Sequence, residues 1–154
     1  MPVLVVRHAH ALARTTWEGD DSLRDLSERG RRQAEALVRI LQPFEPTRVL
    51  SSPHVRCMET VIPLAAKLGL PVEPAGALAE GCGDGVIELV RSFPGSSVVL
   101  CSHGDVIPEL LAGLVDEDRL DLGSKPRVEK ASVWVLSCRK GRFSEARYIK
   151  PPDV

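Results

Sequence analysis

The chain has 154 residues, and its 20 Lys and Arg against 21 Asp and Glu give a formal net charge of −1 at pH 7. This length fits one domain with a substantial core. The near-neutral charge predicts no general attraction to nucleic-acid polymers or to anionic membranes. Hydrophobic residues make up 44% of the chain, but their longest stretches are too short to span a bilayer. Any phosphate binding must therefore depend on a local group of arginine or lysine side chains.

The cysteines, at positions 57, 82, 101 and 138, show no CxxC pairing and no nearby histidine at zinc spacing. They indicate reduced, mostly buried thiols in a cytoplasmic protein. The first residues carry no basic segment ahead of the apolar run, so we expect no signal peptide. We predict no metal ion and no cofactor.

The N-terminal half alternates between apolar runs and helical patterns. Residues 3–6 form a continuous apolar run, typical of a strand buried on both faces of a sheet. Residues 9–26 have no clear period and predict a long loop, a kind of segment that often carries function. Ser27 is the predicted N-cap of a helix that Pro43 closes. After a short strand at residues 48–50, Ser52 and Pro53 are predicted to open a second helix, which ends at Gly69.

The C-terminal half continues the pattern and ends in a hairpin. We predict a short strand near Val72, a helix at residues 86–91, a buried strand at 97–101 and a helix at 106–114. A polar loop with one helical turn is expected over residues 116–130. The alternating segments 132–137 and 142–149 flank Arg139-Lys140-Gly141 and predict a β-hairpin. Since no linker or repeat is present, residues 1–154 are predicted to form a single α/β domain.

Histidines and arginines follow the predicted strands. The segments are Arg7-His8-Ala9-His10, residues 51–56 and Ser102-His103-Gly104. The carboxyl ends of strands form the ligand crevice of open α/β sheets, so these segments could converge there. Arg7 and Arg56 supply the planar, multi-donor groups that suit a phosphoryl group. A histidine such as His8 can attack phosphorus, and a second, His103, can stabilise the developing charge.

Four ordered blocks resemble the histidine phosphatase superfamily, also called phosphoglycerate-mutase-like. They are Arg7-His8-Ala9 after the first strand, Leu26–Ala34 as Leu-Ser-x-x-Gly-x-x-Gln-Ala, Ser51–Thr60 as Ser-Ser-Pro-x-x-Arg-x-x-Glu-Thr, and Ser102-His103-Gly104. The resemblance implies a three-layer α/β/α fold with a mostly parallel central sheet. It also implies that His8 is the nucleophile that becomes phosphohistidine, that Arg7, Arg56 and His103 bind the phosphate, and that Glu80 is the proton donor.

Three further residues near these blocks have less specific patterns. His10 is a candidate substrate-binding residue, although a local hydrogen bond within its loop is the more ordinary interpretation. Arg24 is a second candidate, because Arg24-Asp25-Leu26-Ser27 partly matches an Arg-Pro-Leu-(Thr/Ser) sequence of phosphohistidine-phosphatase-like members. His54 is expected to be a solvated or cap-adjacent side chain.

Only a short stretch of sequence separates Thr60 from Ser97. This leaves no room for the segment that covers the site in larger family members. We therefore expect an open pocket, which suits a phosphoprotein or a large phosphorylated small molecule. The chain most resembles the small phosphohistidine phosphatases and the phosphatase domain fused behind Nudix hydrolases. These resemblances imply either a protein phosphohistidine or a nucleotide or polyphosphate as substrate. A phosphoglycerate-type mutase and a non-catalytic phosphate-binding module are the alternatives.

Overall fold

The computed structural model describes residues 1–81, 85–93, 95–123 and 126–154. Its strands are β1 (Val3–Arg7), β2 (Arg48–Ser51), β3 (Val72–Pro74), β4 (Val98–Ser102), β5 (Val133–Arg139) and β6 (Arg142–Ile149). The α-helices in this part of the chain are α1 (Glu28–Leu41), α2 (Val55–Leu68), α3 (Val86–Arg91) and α4 (Val106–Asp118).

All the strands named above lie in one sheet, in the order β3-β2-β4-β1-β5-β6. The pairs β1–β4, β4–β2 and β2–β3 are parallel, whereas β5 is antiparallel to both β1 and β6. Because β1 and β4 are adjacent and parallel, Arg7 pairs in register with Ser102. The residues that follow these two strands therefore emerge side by side at one edge of the sheet.

Helices cover both faces of the sheet. Alternate residues of β1 point to opposite faces, so Leu4 and Val6 pack with α1 and α2, while Val3 and Val5 pack with α3 and α4. The central strands β1 and β4 are therefore buried on both sides, which explains their continuous apolar sequences. The predicted three-layer α/β/α fold with a mostly parallel sheet is confirmed.

The predicted helix and hairpin ends are found where local chemistry specifies them. The Ser27 hydroxyl accepts a hydrogen bond from the Gly30 N–H at 3.1 Å and caps α1. Gly69 ends α2 in the left-handed conformation, with φ of 68°. Lys140 and Gly141 have φ of 53° and 77°, as a two-residue hairpin turn between β5 and β6 requires.

Two predicted boundaries were wrong. Helix α2 begins at Val55, after Pro53, because the Ser52 hydroxyl accepts the His54 N–H at 3.2 Å and holds these residues in a turn. Helix α4 continues to Asp118, beyond the predicted end at residue 114. Asp118 is only 7% exposed, and its carboxylate accepts hydrogen bonds from Arg91 and from the Phe143 N–H. Both contacts come from distant parts of the chain, so the sequence pattern around residue 116 could not reveal them.

The described part of the chain contains no helix long and apolar enough to cross a membrane. Cys57 and Cys101 are buried free thiols, and Cys138 is a half-buried one, in agreement with the prediction for these positions. Cys82 lies outside the described residues.

Candidate active site

A cavity of about 660 Å³ opens at the carboxyl ends of β1 and β4. Arg7, His8, Glu80 and His103 all line it. Arg56 lies directly behind its wall, with its guanidinium 2.8 Å from the Glu80 carboxylate. The structure therefore brings together the five residues for which the sequence predicted catalytic or phosphate-binding roles.

His8 is buried and held in one orientation. The ring is 6% exposed, and its Nδ1 lies 2.8 Å from the Ala9 carbonyl oxygen, a geometry in which Nδ1–H donates to that oxygen. Burial lowers the pKa of His8 to about 3, against the bond to Ala9, and the nearby His103, Arg56 and Arg7 lower it further. The ring is therefore neutral near pH 7, and Nε2 keeps a free lone pair.

Arg7 and Arg56 each have a buried N–H group that lacks a partner among the described residues, the Nε–H in both cases. Their other bonds hold them in place: Arg7 donates to the Val128 carbonyl at 2.6 Å, and Arg56 donates to the Asp21 carbonyl at 2.9 Å. A buried donor without a partner is costly, and guanidinium N–H groups are well suited to an oxyanion. Both arginines are thus fixed in position with bonding capacity left for a ligand.

Glu80 connects the cavity wall to its rim. One carboxylate oxygen lies 2.8 Å from Arg56, and the other lies 3.1 Å from Arg14, whose side chain is 63% exposed. The Glu80 side chain is itself 34% exposed, so its carboxyl group can reach both the buried Arg56 and solvent. This is a suitable place for a group that gives a proton to a leaving oxygen.

His103 stands across the site from His8. The two ring centroids are 5.5 Å apart, and the rings meet edge to face. The hydroxyl of Ser52 lies 2.8 Å from His103 Nε2, and the Cys57 sulfur lies 3.5 Å from the same nitrogen. His103 is 2% exposed, so these neighbours determine its position. Ser52 belongs to the block Ser51–Thr60, but its contact with His103 was not predicted from the sequence.

The block Leu26–Ala34 positions the chain that follows His8. The Ser27 hydroxyl bonds the His10 carbonyl at 3.1 Å, and the Gln33 side chain accepts the His10 N–H at 2.9 Å. Gly30 is required at its position, because a Cβ there would overlap the His10 carbonyl. The residues of this block therefore hold the backbone that follows His8.

The end of the block Ser51–Thr60 has the same supporting role. The Thr60 hydroxyl accepts the Ala9 N–H at 2.9 Å and donates to the Arg56 carbonyl at 2.7 Å. It thereby joins the loop that follows His8 directly to the helical turn that carries Arg56. Glu59 accepts the Leu26 N–H at 2.9 Å. These roles were not predicted from the sequence, although the Glu-Thr pair belongs to the motif Ser-Ser-Pro-x-x-Arg-x-x-Glu-Thr.

Gly104 and Asp105 complete the edge of the cavity. A Cβ on Gly104 would lie 2.7 Å from the guanidinium carbon of Arg7, so glycine leaves the space that Arg7 occupies. The Asp105 carboxylate accepts the Gly81 N–H at 2.8 Å and fixes the residue next to Glu80. Glycine at position 104 therefore leaves room for the Arg7 side chain, while Asp105 holds the loop that carries Glu80.

His10 and Arg24, the candidate substrate-binding residues, line the cavity but also have local partners. His10 Nδ1 lies 2.6 Å from the Ser27 hydroxyl. Burial, with Lys130 and Arg29, lowers the pKa of His10. Arg24 is 6% exposed and donates to the Leu12 carbonyl at 2.7 Å and to Asp21 at 2.9 Å. Their contact with substrate stays a prediction.

His54 is closer to the site than its sequence position indicated. It occupies the cap position of α2, as expected, but its ring is half-buried and packs edge to face on His103 at 4.7 Å. One ligand atom each from His54, Glu80 and His103 lies within 4.8 Å of the other two. No sequence pattern links these residues, because they come from three separate segments.

Comparisons with known proteins bear on the family and the fold of the chain. The sequence profile of the histidine phosphatase superfamily (branch 1) matches residues 3–86. An 8-oxo-(d)GTP phosphatase of Mycolicibacterium smegmatis is 37% identical over 98% of this chain, which spans only 48% of that relative. The structure of the protein histidine phosphatase SixA complexed with tungstate has a TM-score of 0.73 at 24% identity, covering 97% of this chain and 95% of the other. A mycobacterial glucosyl-3-phosphoglycerate phosphatase complexed with VO3 has a TM-score of 0.70 at 21% identity, covering 96% of both chains.

Proposed function

The chain belongs to the histidine phosphatase superfamily, and we propose that it is a metal-independent phosphatase that forms a phosphohistidine on His8. The observation that carries this proposal is the neutral His8 ring, with Nε2 free, beside buried and unpartnered N–H groups of Arg7 and Arg56. The family and the phosphatase class were predicted from the sequence, and the family profile and the names of the relatives confirm them at that level.

The proposed reaction has two steps. In the first, His8 Nε2 attacks phosphorus, the bond from phosphorus to the leaving oxygen breaks, and Glu80 gives that oxygen a proton. In the second, water attacks the phosphohistidine, Glu80 takes a proton from the water, and the P–N bond breaks to release inorganic phosphate. Arg7, Arg56 and His103 stabilise the charge on the phosphoryl oxygens in both transition states.

A nucleotide with more than one phosphate is the substrate class that we favour. Arg14, Arg24 and Lys130 line the cavity beyond His8, and the pKa of Lys130 is lowered by burial and by the positive charges of Arg7, Arg24 and Arg14. Together with Arg7 and Arg56, these side chains carry more positive charge than a single phosphoryl group neutralises. A second phosphate would reduce the repulsion among them. The name of the 8-oxo-(d)GTP phosphatase supports the same class. A protein phosphohistidine is the second candidate, and it rests on the open rim at Arg14.

The chemistry is tested by measuring inorganic phosphate released from an aryl phosphate in the presence of chelator. His8→Ala should lose activity by about a thousandfold or more, since the nucleophile is removed. Labelled substrate and rapid quenching should place the label on His8 and then in inorganic phosphate. Return of the label to an organic product would indicate a mutase, and tight phosphate binding without turnover would indicate a binding module.

The substrate class is tested by comparing nucleoside diphosphates and triphosphates, with and without an 8-oxoguanine base, against phosphohistidine peptides. Lys130→Gln and Arg14→Gln should raise KM for nucleotides by about tenfold each, because each removes one charged contact. KM for a small aryl phosphate should stay nearly unchanged. Lys150→Gln, which removes an exposed lysine that does not line the cavity, is the matched control. Equal loss for both kinds of substrate would contradict the assignment of these cations to a second phosphate.

A further inference from the structure

Of the four histidines in the chain, His54 is the one that has no role in the proposed reaction or in holding the loop after β1. We propose that His54, Glu80 and His103 form a binding site for a divalent transition-metal ion such as Zn²⁺, and that the bound ion inhibits the phosphatase. The proposed metal binding depends only on the geometry of this cluster, whereas the proposed inhibition also rests on the proposed phosphatase function.

The donor set matches the preferences of zinc. Two imidazoles and one carboxylate, with a fourth position open to water, are the ligands of several zinc sites. Mg²⁺ and Ca²⁺ prefer sites made entirely of oxygen ligands, so the two histidines select against them. The ligand atoms of this cluster lie within 4.8 Å of one another. Ligands of a tetrahedral Zn²⁺ ion lie roughly 3.3 Å apart, so each pair must approach by at most about 1.5 Å.

A second observation points to a missing ligand at His54. Its Nδ1 is buried and has no hydrogen-bond partner among the described residues. A buried nitrogen without a partner is costly to leave unbonded, and a metal ion or its bound water would satisfy it.

The charged residues around the cluster have opposing effects on the binding of a cation. Arg56 must release the Glu80 oxygen that it holds at 2.8 Å, whereas Arg14 can keep the other oxygen at 3.1 Å. Arg56 retains a second partner in Asp21, at 3.2 Å from its guanidinium. Asp20 and Asp21 also place negative charge near His54. Arg56 would therefore lose one ion pair, the one with Glu80, and its guanidinium would stay paired with Asp21.

Metal binding at this cluster is incompatible with the proposed reaction. An ion on His103 occupies a ring nitrogen of the side chain that the proposed reaction uses to stabilise phosphoryl charge, and an ion on Glu80 prevents proton transfer to the leaving oxygen. Zn²⁺ should therefore inhibit the enzyme reversibly, and a chelator should restore its activity. This is the opposite of what a metal-dependent phosphatase would show.

The inhibition is tested by titrating Zn²⁺ against aryl phosphate hydrolysis in a buffer that does not bind the metal. His54→Gln should raise the Zn²⁺ concentration for half-inhibition by at least about tenfold relative to the unmodified chain, since one ligand is lost. His10→Gln is the matched control, because it removes a histidine of the same cavity that lies outside the cluster, and its half-inhibition should change less than about twofold. Equal sensitivity of His54→Gln and the unmodified chain, or loss of inhibition in Cys138→Ser instead, would overturn the proposal.

A readout that needs no activity separates this proposal from the proposed function. Co²⁺ added to the His8→Ala variant should give the visible absorption bands of a tetrahedral site, and the double variant with His54→Gln should lack them. Circular dichroism verifies that both variants are folded. Cobalt bands in His8→Ala, together with no phosphatase activity in the unmodified chain, would reject the proposed function and keep the metal site. Phosphatase activity in the unmodified chain, together with identical cobalt spectra in the two variants, would reject the metal site alone.

Discussion

The protonation state of His8 is set by its surroundings more than by its own chemistry. The ring is almost fully buried, and three positive or potentially positive groups surround it. Burial penalises the charged form, so the folded protein keeps His8 neutral over the pH range in which a free histidine titrates. A neutral imidazole is what a nucleophilic histidine needs, and the same arrangement has a consequence for stability.

We predict that His8 makes the protein less stable in acid. Its pKa is about 3 in the folded protein, and an ordinary value of 6.5 applies to the unfolded chain. Between these values the unfolded chain binds a proton that the folded chain does not. The free energy of unfolding should therefore fall as pH is lowered from 6.5 towards 3, by up to about 1.4 kcal/mol per pH unit from this group. Urea unfolding of the wild type and His8→Gln, measured from pH 7 to pH 4, tests this, and parallel curves would contradict it.

Ser52 is predicted to act by positioning His103. Ser52→Ala removes the hydroxyl that lies 2.8 Å from His103 Nε2, and kcat should fall by roughly tenfold with little change in KM, because one hydrogen bond to a reacting group is lost. The profile of kcat against pH should also shift, which a purely structural defect would not cause. Ser52→Thr keeps the hydroxyl and should recover most of the activity. An unchanged pH profile in the alanine variant would argue against a positioning role.

At the scale of secondary-structure elements, the start of α1 serves the loop that follows β1. Ser27, Gly30 and Gln33 lie within two turns of the helix, and all three meet the backbone of His10. The backbone of a helix is more rigid than that of an irregular loop. The contacts with α1 therefore fix the loop in position. The serine, glycine and glutamine of the motif Leu-Ser-x-x-Gly-x-x-Gln-Ala are thus explained by packing and hydrogen bonding.

Gly30→Ala tests this account through the sign of its effect. In an ordinary helix interior, alanine is more favourable than glycine by about 1 kcal/mol. At Gly30 the added Cβ overlaps the His10 carbonyl, so we expect a loss of about 1–3 kcal/mol in the free energy of unfolding. Gly76→Ala is the control, because the added Cβ meets no atom within 4 Å there. Thermal or urea unfolding measures both, and stabilisation by Gly30→Ala would contradict the account.

At the scale of the whole molecule, Asp118 joins elements that are distant in sequence. Its carboxylate binds Arg91 at the end of α3 through two bonds, at 2.8 and 2.9 Å, and accepts the N–H of Phe143 in β6. Arg91 and, to a lesser extent, the Phe143 N–H lower the pKa of Asp118, against the effect of its burial. One side chain therefore links both helices of this layer to the edge strand of the sheet.

We predict that Asp118→Asn lowers the free energy of unfolding at pH 7 by about 1–3 kcal/mol, because the charged acceptor of three hydrogen bonds is lost. The pKa of Asp118 is depressed by folding, so its contribution is present above the ordinary carboxyl range and is lost as pH falls below it. The difference between wild type and variant should therefore shrink in acid. Glu117→Gln, at a carboxylate that is 53% exposed, is the control and should have a small effect. Equal effects of the two changes would contradict this role.

Much of the fold followed from local patterns in the sequence. The apolar runs at residues 3–6 and 97–101 are buried strands, Ser27 caps a helix, and Gly69 ends one, because each depends on a few neighbouring residues. The boundaries at Val55 and Asp118 were not predictable, since a turn at Ser52 and contacts with Arg91 and Phe143 determine them.

The family, the candidate reactive residues and the edge of the sheet at which they meet could be inferred from the sequence, because they depend on residue chemistry and on the direction of parallel strands. How these residues are held could be seen only in the folded chain. The insertion of β4 between β1 and β2 brings His103 beside both His8 and Ser52, and the packing of α2 against β4 places Cys57 next to His103. The position of His54 beside Glu80 was decided in the same way, because side-chain orientation in a cavity depends on contacts among segments far apart along the chain.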